Sequence, residues 1–204
     1  MLERNNILDE GIVGTLSMLA CAIYAQKSAA DILKQHLKET NKKLYKRIFR
    51  DKDTKISEDQ TRKVESEYLA FIIYIIRKTC LTYGIPDEVT GAFRQGVINK
   101  LSEIGMLHKV MYYESLDESI VKCTNLIKMF DNRFNIYSEA SIIHDDDYNP
   151  MRRFSLIVAK NVFCDILSDT DLHEFGNEGL LHHFALMVVS YGDLVVRTIN
   201  KIKV

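Results

Sequence analysis

Apolar residues recur at helical spacing along nearly the whole chain, and that periodicity predicts an all-α protein. A first helix is expected from near Ile7 to about Leu37, with Asp9 and Glu10 suited to the positive end of its dipole. Within the basic stretch that follows, Leu44, Ile48 and Phe49 anchor one side of a short helix around Lys42 to Phe49. Ile56 to Tyr83 then runs without a glycine or proline, and Tyr68 to Ile76 is an unbroken apolar segment. Its β-branched content would suit a buried strand, but its polar flanks carry the pattern well past strand length. A helix apolar on all sides belongs at the centre of a bundle, so residues 64–83 are expected to form a fully buried central helix.

Punctuation divides the rest. Gly84 and Pro86 stop one helix and start the next, which carries Val89, Phe93, Val97, Ile98 and Leu101 to a stop at Gly105. A short element is expected around Met106 to Tyr113. Ser115 and Glu118 have the spacing of a capping box, opening a helix that extends through Phe130 toward Ile143. Asn149 and Pro150 read as cap and first residue of another helix, to about Leu167. The last helix is expected over about 178 to 203, with a stripe through Leu181, Phe184, Val188, Val195 and Ile199 and an Asp193–Arg197 pair. The sum is a single helical domain, 1–204, of six to eight helices. The one plausible seam would set an N-terminal hairpin, 1–55, on a body of residues 56–204.

Composition agrees with this reading. The 204 residues include 47% hydrophobic and 27% charged residues but only 2 prolines and 9 glycines. That excludes disordered, collagen-like and strand-rich classes. The four cysteines, Cys21, Cys80, Cys123 and Cys164, stand singly among apolar neighbours, which argues for reduced thiols and a cytoplasmic location. Ile12 to Ala25 is mostly apolar. The acids before it are wrong for a secretory leader, and the run is too short for a transmembrane segment.

Net charge is −1, but it is unevenly placed. Lys34 to Lys63 holds eleven basic and five acidic residues, a local balance of +6 that leaves −7 on the remainder. Lys42, Lys43, Lys46, Arg47 and Arg50 are therefore candidate residues for docking an acidic protein partner. Nucleic acid is not expected as a partner, because the basic residues fall outside any helix-turn-helix order.

Signals for chemistry are sparse. His144-Asp145 could ligate a divalent metal, with His108 as a further ligand. His108, His144-Asp145 and Asp193 follow the ligand order of metal-dependent phosphohydrolases of the HD type. Here, however, two more acids, Tyr148, Asn149 and Pro150 follow the doublet at once, and no membership is assigned. Glu178 and His182 are four apart and share a helical face, near His173, Glu174 and His183. His36 and Glu39 read as a surface pair. Arg152 and Arg153 are expected to neutralise Asp145 to Asp147 across the break; the alternative is a groove that they line with Arg133 and Tyr137, which share a helical face. Nucleophile-elbow, phosphate-loop and dinucleotide-binding motifs are all missing from the sequence.

The expectation is a non-catalytic cytoplasmic protein that acts through self-association, as a homo-oligomer, or by binding a protein partner, with no cofactor. The alternatives are a metal-dependent hydrolase with a His/Asp site and divalent metal, and membrane-surface association through the first helix and basic stretch.

Overall fold

The computed structural model describes residues 2–51, 55–142, 149–163, 166–168, 170–171 and 178–202, with backbone alone for 2–9, 116 and 178. Helix formation follows from apolar residues at helical spacing with proline only at helix starts, and there is no strand among the described residues. The elements are α1 (Leu2–Gln26), α2 (Ala29–Thr40), α3 (Lys42–Phe49), α4 (Glu58–Thr82), α5 (Asp87–Glu103), α6 (Leu116–Ala140), α7 (Pro150–Phe163) and α8 (Glu178–Ile202). A 3₁₀ turn, Leu107–Lys109, joins α5 to α6.

Helix α4 is the axis of the bundle. It packs against α1, α2, α5, α6, α7 and α8, and every residue from Val64 to Ile76 is buried. Beyond Ile76 the burial becomes one-sided, since Lys78 and Thr82 face solvent while Cys80 stays in the core. Phe71 lies at the centre, edge-on to Phe184 (5.5 Å between ring centroids) and to Tyr137 (5.9 Å), with Phe154 tilted beside it. Such edge-to-face geometry adds to the burial of the rings themselves.

Both glycine stops behave as expected, for a backbone reason. Gly84 (φ 75°) and Gly105 (φ 67°) adopt the left-handed conformation that closes a helix. After each, the chain folds back to bond the last turn, Ile85 N–H to Cys80 C=O (3.0 Å) and Met106 N–H to Leu101 C=O (2.8 Å). Asn149 caps α7 by accepting the Arg152 amide (3.0 Å).

Several expectations need correction. The first helix is two helices, broken at Lys27 and Ser28. Ser28 turns extended and its hydroxyl accepts the Asp31 amide, which makes it the cap of a new helix. At Ser115 the capping box is only half formed. Its hydroxyl takes the Glu118 amide, but the Glu118 carboxylate accepts from Glu114 N–H rather than from Ser115. The reciprocal box is at α4, where Ser57 and Gln60 exchange bonds of 3.1 and 2.9 Å. Helix α6 stops at Ala140, short of its expected end, and α7 is described as far as Phe163.

Two carboxylates enter the core with the apolar run of α4. Glu67 is 2% exposed and takes a two-pronged grip from Arg133 of α6, at 2.5 and 2.6 Å. Arg133 and Tyr137 thus line no groove, for Arg133 is spent on Glu67 and Tyr137 is wholly buried.

The second carboxylate, Glu65, is 4% exposed and accepts the Ala30 amide (3.1 Å) at the first turn of α2. Burial raises its pKa above the usual carboxylate value, against the opposing pull of the Ala30 and Ala29 amides and the Tyr24 hydroxyl. A raised folded value means that folding takes up a proton, so stability falls as pH climbs from the unfolded carboxylate pKa toward the folded one. Glu65→Gln keeps an acceptor and removes the ionisation. The stability difference, variant minus wild type, is expected to grow from about pH 4 upward and then level off. Urea unfolding across the pH range measures it, and a difference independent of pH would refute the assignment.

Candidate functional site

The basic face expected around residues 42–50 is formed by α3. At 100° per residue, Lys42, Lys46, Arg50, Lys43 and Arg47 fall in one arc, while Leu44 and Ile48 occupy the opposite side and are buried. All five cations are exposed. Beside them is a cleft of about 720 Å³ lined by Asn41, Lys43, Leu44, Lys46, Arg47, Arg50, Asp51 and Asp171. Arg47 reaches across it to Asp171 (2.8 Å). Asp171 also accepts from Ser168 N–H (2.9 Å) and Ser168 Oγ (2.8 Å), and these bonds hold its carboxyl below the usual range against the effect of its burial. Arg50 lies over the Tyr45 ring at 5.5 Å. Among the described residues, Lys42, Lys43 and Lys46 form no ion pair.

Helix α8 is the second surface of interest. Of the predicted stripe, Leu181, Phe184, Val195 and Ile199 are buried, while Val188 is only partly so and Met187 takes the core position beside it. The other side of the helix is also apolar in part. Leu186 is 50% exposed and Val189 is 65% exposed, and only 28% of the helix's most apolar eighteen-residue stretch is buried. A groove of about 500 Å³ runs between this side and the end of α4, with Val189, Val196 and Tyr83 among its walls. Asp193 and Arg197 pair at 2.6 Å, as their spacing predicts.

Of the metal candidates, only His108 and His182 have described side chains. His144 and Asp145 lie outside the described residues, as do His173 and Glu174. His108 is exposed in the 3₁₀ turn between α5 and α6. Glu178 opens α8, with only its backbone described, and His182 one turn on is exposed. Among the described residues no three His, Cys, Asp or Glu side chains gather closely enough to hold an ion. His36 and His183 do share a small cleft, with Lys27, Gln35, Glu39 and Gly179. His36 is half-buried there beside Glu39, and a Cβ at position 179 would stand 2.8 Å from its Cε1. Burial lowers the pKa of both rings, and Lys27 and His36 add to the effect at His183. Neutral imidazoles are thereby favoured at this seam.

The thiols are poorly suited to nucleophilic chemistry. Burial pushes the Cys21 thiol up to about 11 and the Cys80 thiol to about 12, so the reactive thiolate is scarce at neutral pH. Arg77 of α4 also proves structural. It donates to Asp87 (2.8 Å) and Asp131 (3.2 Å), lies 4.0 Å over the Phe134 ring, and so ties α4 to α5 and α6. Arg94 shares Asp131. Sequence reasoning missed this network, whose members are far apart in the chain. No family model, curated protein or solved structure matches this chain.

Proposed function

We propose that the protein acts by association, pairing with a second copy of itself through the outward face of α8. The supporting observation is the exposure of Leu186 and Val189 on a helix whose opposite side is already committed to the core. Exposed apolar area of this kind marks a contact surface. A second copy fits because one helix face can complement itself across a two-fold axis. The free thiols suit such a protein to a reducing compartment such as the cytoplasm. A membrane-surface role through α1 and the basic stretch is the weaker reading, since the apolar side of α1, Leu16, Ala20, Ile23 and Tyr24, is already buried in the bundle.

A protein partner of acidic character is the second reading, supported by the cationic arc of α3. Sedimentation velocity over a range of concentration and salt separates the two. Pairing through α8 is expected to give a dimer that persists at about 0.5 M salt, since apolar burial is little screened. Leu186→Glu with Val189→Glu is expected to weaken it at least about a hundredfold while leaving helicity unchanged, because each charge would be buried unpaired. A wild-type protein monomeric at every concentration sinks the α8 reading. Flotation with vesicles of phosphatidylcholine and phosphatidylserine would turn it toward the membrane surface.

A further inference from the structure

Helices α7 and α8 begin side by side, and a cleft of about 480 Å³ opens between their first turns. Its lining combines Arg152 and Ser155 of α7 with Gly179, Leu181, His182 and Ala185 of α8. Three features of this cleft favour negative charge. Two helices, of 14 and 25 residues, present their positive ends to it. Arg152 supplies a guanidinium at the rim, and the exposed ring of His182 can donate from a nitrogen.

The third feature is Ser155. It is 1% exposed, lines the cleft, and its Oγ has no hydrogen-bond partner. A buried hydroxyl without a partner is costly, and a serine inside a helix ordinarily relieves that cost by bonding the carbonyl four residues back. Here it does not. An oxyanion seated between the two first turns would accept from Ser155 by rotation about a single bond, and from Arg152 at the rim. Met151, Leu181 and Ala185 supply apolar wall, enough for a compact body attached to the anionic group.

We propose that this cleft binds a small phosphate monoester, with Arg152, Ser155 and His182 as its donors. His182 lies one turn from Leu186 on the same side of α8, so the site adjoins the pairing face, but phosphate shifts and oligomeric state are read separately and failure of the one leaves the other standing. The test is a two-dimensional amide NMR titration of the full chain with inorganic phosphate, butyl phosphate, pentanoate and zinc chloride.

Saturable shifts at Met151, Arg152, Gly179 and His182 are expected with both phosphates, with butyl phosphate binding more tightly because its chain covers the apolar wall. Arg152→Gln is expected to weaken binding at least about tenfold, the order of one charge-assisted bond. Ser155→Ala is expected to weaken it severalfold while raising the melting temperature, since the orphan hydroxyl is gone. That opposition is not produced by a merely structural serine. The proposal is overturned by phosphate shifts that do not saturate, by tighter binding of pentanoate than of butyl phosphate, by affinities unchanged in both variants, or by zinc as the sole ligand that moves His182.

Discussion

Replacing Arg133 with alanine is expected to destabilise the protein by about 3–5 kcal/mol, more than any other change to a charged residue described here. The reason lies with its partner. Glu67 is 2% exposed on the most buried helix of the bundle, and Arg133 binds both its carboxylate oxygens. Without the guanidinium the carboxylate must stay charged and uncompensated in the core, or take up a proton to fold. The ion pair itself need not add much net stability, because two charges were desolvated to form it. A double change to apolar residues of similar size, Glu67→Leu with Arg133→Met, is therefore expected to recover most of the loss. Urea unfolding of wild type, both single variants and the double variant gives the coupling directly. A single Arg133→Ala variant within about 1 kcal/mol of wild type would show that Glu67 is not held in this way.

Phe71→Ala is expected to cost a similar amount, about 3–5 kcal/mol, by a different route. Phe71 is fully buried, and Tyr137, Phe154 and Phe184 come from three other helices to meet it. Truncation removes the apolar transfer energy of a ring and leaves a cavity that three large aromatic neighbours on separate helices cannot all collapse to fill. Phe71→Leu preserves most of the volume and is expected to cost less than half as much. Thermal and urea unfolding measure both variants. Equal costs for Ala and Leu would mean that the edge-to-face geometry, and not the filled volume, dominates at this position.

Local features of the chain were largely legible. The bounds of α3, the glycine stops at 84 and 105, the cap at Asn149 and the span of α8 follow from patterns a few residues long. What escaped was set at long range. The buried helix expected over 64–83 includes Glu65 and Glu67, but nothing near them in the sequence names the partners that make their burial tolerable. Arg133 lies 66 residues away from Glu67, and the amides that meet Glu65 belong to another helix. The break at Ser28 was missed because the apolar pattern runs on through it, although Ser28 and Asp31 have the spacing of a helix start, which their cap bond realises. For the sites, the charge count located the basic arc of α3. It did not find the α7–α8 cleft, because a serine among apolar residues looks like ordinary core. The exposed half of α8 was equally hidden, since a stripe count says which residues can be buried and not which faces find cover.

The bond from Glu65 to the first turn of α2 bears on the order in which this chain acquires structure. A helix of 12 residues is marginal by itself in water, and this one has its starting amide satisfied by a side chain that arrives 35 residues later. During synthesis, residues 29–40 leave the ribosome before the carboxylate that completes them has emerged to meet them. They must wait, poorly ordered, until α4 has emerged and docked. Helix α2 is then expected to become secure only together with α4, although it precedes α4 in the chain.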